Sequence, residues 1–463
     1  MALEIRTATD GQRSAYAALP ALLRNRDKER LDQYRTALAF YQGQQWPHVR
    51  TGVSRLRRLT VNYLRAITNK TASYVMKGAT VSVHPRDDSN DATQAAAEAE
   101  LALADIAQAN GLPRLDQATE IDTAVLGDGA FKVTWDVQEE RVAITSPDMA
   151  GLFPWPHPTD PSRFHRLAHR YQLPAADAAA FWGLRTANDP AWIIEDWRDE
   201  ALAIHIDDHP NPDLVMANPY GLIPYVIFPN EQVPKRWWGA SDITPLTEIA
   251  EELNAEFSRL SNILELSGNP IAILEGVEQS QGIETFPGAT WELPDGAKAY
   301  VLDLLQHGAV TMHLEYLQTL LRALHDLSET PRTAFGDNSR DLSGIALQVE
   351  LQPLLQKVDR KRLIRSQAYD TRAGIALYLL DRFTGASHLQ AGTILTSWEA
   401  PTPADRTREV ADEITQVDGR IKSRRTAMAD LGAIDPDAEW ERIKAEAAEL
   451  QSLTLVETRH GTV

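Results

Sequence analysis

The chain has 463 residues, of which 43% are hydrophobic and 24% charged, a composition typical of a folded globular protein and not of a disordered one. It contains no cysteine, which excludes disulfides, cysteine-ligated zinc and a thiol nucleophile. The formal charge of −19 argues against a protein that wraps nucleic acid by neutralising phosphates, but it is compatible with a surface past which DNA slides. The first residues lack a signal-peptide pattern and no apolar run approaches the ~20 residues that span a bilayer, so we expect no membrane partner.

The first half of the chain mixes helical and strand patterns. Residues 12–78 carry leucines and other apolar residues at helical spacing, with a break at Gly43. Further helices are predicted over 94–110 and 114–126. Alternating apolar residues predict strands at 130–135, 141–145, 191–197, 202–206 and 223–228. Because there is no regular βαβ alternation, the predicted fold class is α+β, mostly α.

The clearest helix is predicted over residues 241–266, directly after the unusual sequence Trp237-Trp-Gly239. An apolar stripe at helical spacing is formed by Leu246, Ile249, Leu253, Phe257, Leu260 and Leu264. On another face Glu248, Glu252 and Glu256 stand four residues apart, where like charges are mildly unfavourable in an isolated helix. An ordinary solvated face is one interpretation of these glutamates.

A small β-rich insertion follows, and then helices again. Short strand patterns at 271–274, 289–293 and 299–302 lie between that helix and a second one over 309–329. Residues 330–342 are polar and turn-prone. They precede a helix predicted from 343 to about 383, far longer than the usual ~11–12 residues, and Pro353 inside it predicts a kink or a local break. Residues after Pro401 are predicted to be helical.

The sequence contains few signs of catalysis. There is no phosphate-binding glycine loop, no serine elbow and no zinc-binding His-Glu-x-x-His motif. His157, His165 and His169 near Asp160 are candidates for a metal site. Their proline-rich setting argues against a shared helical face, and histidines in loops are more often surface residues. The acidic residues around His209 favour a solvated turn. We therefore predict no cofactor, no metal and no enzymatic activity.

Four stretches, in this order and spacing, resemble the portal proteins of tailed bacteriophages, of the type found in phages with long non-contractile tails. They are Tyr41-Gln-Gly with Asn62 and Tyr74 to Gly78; 218–231 (NPYGLIPYVIFPNE) leading into 238–243 (WGASDI); Glu252-Leu-Asn254 with Ser261 and Asn269-Pro270; and 343–347 (SGIAL) with Leu354 and Lys357. The resemblance in architecture covers residues 30–450.

The resemblance implies a portal-type fold built from a wing, a stem, a clip and a crown. It places a wing at 1–240, stem helices at 241–266 and 309–329, a clip at 267–308, a tunnel loop at 330–342, a long wing helix and strand at 343–400, and a crown at 401–463. It also implies a ring, usually of twelve subunits, at one vertex of the capsid, through which double-stranded DNA is packaged and ejected. The expected locations are the virion and, during assembly, the host cytoplasm.

The resemblance also implies partners and site residues. The partners are non-specifically bound DNA, the large terminase subunit, a head-tail adaptor and the major capsid protein. In the tunnel loop, Arg332, Thr333, Phe335 and Asn338 are expected to contact DNA. Glu248, Glu252 and Glu256 would line the channel and repel phosphates, while Leu253, Phe257 and Leu260 would hold the ring together.

Two alternatives stay open at this point. One is a soluble metal-dependent hydrolase built around His157, His165 and His169. The other is a helical scaffold or adaptor protein that passes no DNA.

Overall fold

The structure is a computed structural model of the chain. It describes residues 19–46, 58–183, 185–207, 209–268, 272–276, 295–301, 309–336, 344–401, 406–432 and 435–447. The chain divides into two compact units, Met1–Glu399 and Ala400–Val463. Among the described residues helix accounts for 54% and strand for 21%, which agrees with an α+β fold that is mostly α. None of the helices in the described ranges combines the length and apolar character that crossing a membrane requires.

Helices are a major part of the first unit. Its helices in the described ranges are α1 (Leu19–Arg26), α2 (Lys28–Tyr41), α3 (Tyr63–Val75), α4 (Asn90–Asn110), α5 (Leu112–Leu126), α6 (Ala175–Trp182), α7 (Thr247–Gly268), α8 (Ala309–Ser328) and α9 (Gly344–Thr384). Polar side chains begin several of these helices: the Asn62 side chain accepts a hydrogen bond from the Arg65 amide at the start of α3, and Ser89 accepts one from the Ala92 amide at the start of α4. Left-handed Gly111 ends α4 and left-handed Gly127 ends α5.

The strands of the described residues form four antiparallel sheets. They are β1 (Ala79–Pro85), β2 (Asp128–Asp136), β3 (Arg141–Thr145), β4 (Leu152–His157), β5 (Asp160–Leu173), β6 (Ala191–Arg198), β7 (Ala201–Ile206), β8 (His209–Ala217), β9 (Tyr225–Pro229), β10 (Ala272–Glu275), β11 (Lys298–Val301) and β12 (Gly392–Trp398). Five of them pair in the order β4-β5-β6-β7-β8 and three in the order β3-β2-β9. The other two sheets are the pairs β1-β12 and β10-β11.

The five-stranded sheet was only half predicted. The strands predicted at 191–197 and 202–206 are confirmed, whereas β4 and β5 were missed. The turn predicted around His209 is present at Asp207, which has a positive φ of 49°, but His209 itself already begins β8. Both missed edges carry prolines, two in β4 and two in β8, and proline argues against a strand when only the sequence is considered. An edge strand tolerates proline because half of its backbone N–H groups need no partner in the sheet.

Helix α9 is the longest element of the first unit, with 41 residues. It packs against the three-stranded sheet, α3 and the β1-β12 pair. The helix runs on through Pro353, so the predicted alternative of a local break at that residue is wrong. Its inner side is unusual because it carries buried cations as well as apolar side chains: Lys357, Lys361, Arg362, Arg365 and Arg372.

Two apolar clusters form the main core of the first unit. One lies between the sheets and α9 and includes Phe131, Ile193 and Leu379, all fully buried. The other joins α7 and α8 to α2, α3 and α5, through residues such as Leu64 and Leu324. Burying one apolar side chain of this size stabilises the folded state by about 1.5–3 kcal/mol. Helices α7 and α8 are therefore firmly attached to the rest of the unit at these positions.

The second unit is a small helical hairpin with an added helix. It contains α10 (Arg406–Asp418), α11 (Arg424–Asp430) and α12 (436–447). Lys422, in the turn between the first two helices, pairs with Glu413 on one side and with Asp430 on the other. Exposed apolar residues include Ile414 and Ile421.

Candidate channel segment

The sequence Trp237-Trp-Gly239 is part of a clasp that fixes where the chain enters α7. The carboxylate of Asp128, between Gly127 and Gly129, accepts a hydrogen bond from the Gly239 amide at 2.8 Å and one from the Tyr34 hydroxyl at 2.7 Å. A Cβ atom on Gly239 would lie 2.3 Å from the Gly127 carbonyl oxygen, so the two backbones can approach only because residue 239 is glycine. Burial raises the pKa of the Asp128 carboxyl, which these two donors and the Arg30 charge only partly offset.

A buried charge network begins three residues after Gly239, at Asp242. The Lys361 ammonium donates to Asp242 Oδ2 and to Asn230 Oδ1, both at 2.7 Å, and Asn230 also donates to Asp242 Oδ1 at 3.0 Å. Arg365 extends the network with two hydrogen bonds to Glu120 on α5, at 2.7 and 3.0 Å. Burial raises the pKa of the Asp242 carboxyl, but the charges of Lys357 and Lys361 outweigh burial and hold the pKa well below its ordinary value.

Lys357 connects both ends of the helix pair to α9. Its ammonium lies 3.3 Å from Asp242 Oδ1, just before α7, and donates to the Ser328 carbonyl at the end of α8 at 3.2 Å. The side chain is buried. The start of α7 and the end of α8 are therefore held to the same point on the long helix.

The first half of α7 is also tied to the segment that leads into α3. The Asn254 side chain accepts a hydrogen bond from the Val61 amide at 2.8 Å and donates to Gln45. One turn on, Ser258 Oγ accepts from the Leu59 amide at 2.9 Å. Polar groups on the inner side of α7 thus satisfy backbone groups that would otherwise be buried without partners.

The three glutamates predicted to share a face do not share an environment. Glu248 is exposed and Glu252 half-exposed, but Glu256 is only 2% exposed. Its carboxylate accepts from Arg259 at 2.7 Å and contacts His313 of α8, so it joins the two helices. These contacts lower its pKa against the opposing effect of burial. The expectation that Glu256 lines an open surface together with the other two is therefore wrong.

The residues of the predicted apolar stripe on α7 also differ in their burial. Leu253 is 2% exposed and lies in the apolar core that joins α7 to α3 and α5, so its predicted place between subunits is wrong. Phe257 and Leu260 are half-buried at the border of the same core. A substitution at Leu253 would disturb the protomer itself.

The predicted tunnel loop begins as an ordered turn. Glu329 has a positive φ of 52°, and the next residue, Thr330, is buried, with its carbonyl accepting from His325 Nδ1 at 2.7 Å. A short 3₁₀ helix follows over Arg332–Phe335. Ala334 inside it is buried against Val75, Leu354 and Val358. The start of the loop is thus docked between α3 and α9.

The structure describes three of the four residues predicted to contact DNA. Arg332 is exposed, and Phe335 is 40% exposed, with the His325 ring 6.0 Å away. Thr333 Oγ1 is buried and has no hydrogen-bond partner within the described part of the chain. Asn338 lies outside the described residues, as do most of the predicted clip and the strand predicted at 289–293.

The histidines considered for a metal site lie on strands and not in a loop. His165 and His169 are on β5, and His157 ends β4, with its ring 6.5 Å from that of His165. His169 is buried and forms a 3.0 Å hydrogen bond with the Tyr225 hydroxyl. Among the residues that the structure describes, no group of three His, Asp or Glu side chains is placed to hold a metal ion. The hydrolase alternative therefore lacks a site in this part of the chain.

The ionic role of α9 was not predicted from the sequence. Lys357, Lys361 and Arg365 are spaced four residues apart, which places them on one side of a helix, and the buried Leu354 and Val358 lie on that side too. Cations within an apolar helix face indicate buried partners, because an unpaired buried charge is strongly unfavourable. The positions of those partners depended on the tertiary fold.

Comparison with known proteins shows the family to which the chain belongs. The model of the family described as phage portal protein, SPP1 Gp6-like, matches residues 211–453, just over half of the chain. The match includes β9, both helices of the pair, the loop after α8, the whole of α9 and the helices α10 and α11. No sequence among the curated proteins matches. The chain therefore belongs to the phage portal proteins of the SPP1 Gp6-like family.

Proposed function

We propose that this portal protein forms a ring, usually of twelve subunits, at one capsid vertex and conducts double-stranded DNA during packaging and ejection. In this arrangement α7 and α8 are the stem helices and the segment after α8 is the tunnel loop. The family match supports the portal role. One observation in the protomer supports the ring.

That observation is an apolar stripe on α8 that the described residues of the single chain leave largely uncovered. Met312 is 65% exposed, and Tyr316 and Leu327 are exposed as well. Leu320 and Ala323, half-buried, complete the same face at helical spacing, and Leu320 at its edge also packs against the protomer core. The adjacent face, with Leu317 and Leu324, is buried in that core. An amphipathic helix buries one apolar face, and a further exposed apolar stripe beside it indicates a partner surface. In a ring that partner is the neighbouring subunit.

The proposed channel lining uses Glu248, which is exposed, and Glu252, which is half-exposed and pairs with Arg259 at 3.1 Å. Glu248 and Glu252 of each subunit would repel phosphates and prevent DNA from adhering as it moves. Arg332, Thr333, Phe335 and Asn338 would contact the duplex from the loop without reading bases. Glu256 and Leu253, which the protomer buries, have no part in these surfaces.

The remaining partners are proposed from the family. The large terminase subunit would dock near the clip during packaging and a head-tail adaptor would follow it. The major capsid protein would surround the ring in the virion, after assembly in the host cytoplasm. The portal itself would hydrolyse no nucleotide.

Electron microscopy of the purified full-length protein, with light scattering for mass, tests the proposal. We expect closed rings with a central opening and a mass near twelve times 51.5 kDa. A protein that stays monomeric at every concentration would contradict it, and particles that fill with DNA in its absence would do so as well.

A further inference from the structure

A lysine outside the predicted tunnel loop lies against its aromatic residue. The Lys70 ammonium, on α3, is 5.7 Å from the centre of the Phe335 ring. The His325 ring approaches the same phenyl ring at 6.0 Å. Phe335 keeps 40% of its surface exposed, so the lysine and the phenyl ring together reach the solvent beside the loop. A cation over an aromatic face is attracted by the ring, which holds the lysine in place.

Lys70 differs from the cations of the adjacent α9. Lys357, Lys361 and Arg365 donate to carboxylates and carbonyl groups inside the protomer, and Arg360 pairs with Glu329 at 2.7 Å. Such cations have their charge compensated already and are poorly placed to bind a second anion. No carboxylate of the described residues lies within 4.0 Å of the Lys70 ammonium, and the side chain is only half-buried. Its charge is therefore available to an external anion.

We propose that Lys70 is a phosphate contact for duplex DNA, positioned by Phe335 and independent of the polar residues of the loop. This inference rests on the proposed function, because it requires DNA to pass the tunnel loop. A lysine ammonium is a point charge with three donors, which suits a moving phosphate backbone and carries no base preference. Lys70 is on a helix anchored in the core by Leu64 and Ile67, so the contact stays in place when the loop moves.

The test is the salt dependence of binding of a short DNA duplex to the assembled full-length protein. Each phosphate contact contributes about 0.9 to the slope of log K against log salt. We expect Lys70→Gln to lower the magnitude of this slope by about 0.9 for each lysine that touches the duplex. The affinity should fall by the same factor for duplexes of different sequence. Lys70→Arg should keep the slope. Lys28→Gln, which removes an exposed lysine of α2, should keep it too.

The outcomes separate the inference from the function it rests on. Binding by the unmodified protein, with Lys70→Gln indistinguishable from Lys28→Gln, would overturn the role of Lys70 alone. A ring that binds no duplex at low salt and passes no DNA would overturn the proposed channel, and the role of Lys70 with it. Circular dichroism melting of Lys70→Gln should match the unmodified protein, since this half-buried side chain forms no ion pair with the described residues.

Discussion

Lys361 and Asp242 form an ion pair with 2.7 Å between Nζ and Oδ2, and the lysine side chain is completely buried. The pair joins the middle of α9 to the segment just before α7. Through Lys357 the same carboxylate is connected to the end of α8. One aspartate thus contributes to holding both α7 and α8 on the long helix, together with the apolar core they share with α2, α3 and α5.

The first prediction concerns that aspartate. Asp242→Asn should lower the free energy of unfolding of the first unit by about 3–5 kcal/mol, because it leaves Lys357 and Lys361 buried without their carboxylate. Urea unfolding at neutral pH measures this. Asp32→Asn, which breaks the exposed pair with Arg35, is the matched control and should cost less than about 1 kcal/mol.

Acid should weaken the same network. The folded-state pKa of Asp242 lies below its unfolded value, so its contribution is complete at neutral pH and is lost as the pH falls through the folded pKa. Equal unfolding midpoints for Asp242→Asn and Asp32→Asn would contradict the proposed anchoring.

The second prediction concerns the clasp before α7. Gly239→Ala places a Cβ atom 2.3 Å from the Gly127 carbonyl oxygen and 2.9 Å from the Asn230 amide, and both are backbone atoms that cannot move aside alone. We expect a loss of about 2 kcal/mol or more in stability, in the range of strain and overpacking effects. Gly374→Ala in α9 is the control, with its nearest neighbour at 3.9 Å. It should gain up to about 1 kcal/mol from helix propensity. Similar melting temperatures for the two variants would show that the clasp is not tight.

Sequence patterns predicted much of the helical framework and less of the site. Helices α7, α8 and α9 could be predicted because their apolar residues recur at helical spacing over 20 or more residues. The edge strands β4 and β8 were hidden by prolines, which only the sheet edge explains. Glu256 looked like Glu248 in the sequence, and its burial became visible only once His313 of α8 was placed beside it. Periodicity identifies the faces of a helix, but which face is covered depends on the rest of the fold.

The third prediction concerns pH and His169. Burial lowers the pKa of this imidazole to about 4, against an ordinary value of 6.5, and its neighbours are Glu195, Lys132 and the Tyr225 hydroxyl. Between these two pH values the unfolded chain binds a proton that the folded chain does not, so stability falls as the pH is lowered from 6.5 towards 4. This difference in proton binding lowers the free energy of unfolding by up to about 3 kcal/mol.

Urea unfolding at pH 7, 6 and 5 checks this prediction. His169→Gln removes the titrating group and should make the decrease shallower than in the unmodified protein. The same slope in both proteins would show that folding does not lower the pKa of His169.

The fourth prediction concerns the proposed channel wall. Glu248→Gln with Glu252→Gln should leave ring assembly intact but slow DNA packaging roughly two- to ten-fold, because the wall would repel phosphates less. The rate of DNA uptake into particles is the measurement. The double variant Glu139→Gln with Glu140→Gln removes two exposed charges from the turn after β2 and should package normally. If both double variants package at the unmodified rate, these two glutamates do not line the channel.

The last prediction separates ring assembly from folding. Tyr316→Asp places a charge on the exposed apolar stripe of α8, so the protomer should melt within a few degrees of the unmodified protein while the ring falls apart into smaller species. Leu253→Asp places the same charge in the core, 2% exposed, and should unfold the protomer. Light scattering and thermal melting of both variants distinguish these two effects. A full ring formed by Tyr316→Asp would show that the stripe faces something other than the neighbouring subunit, because a buried unpaired carboxylate at a ring contact would cost several kcal/mol in each subunit.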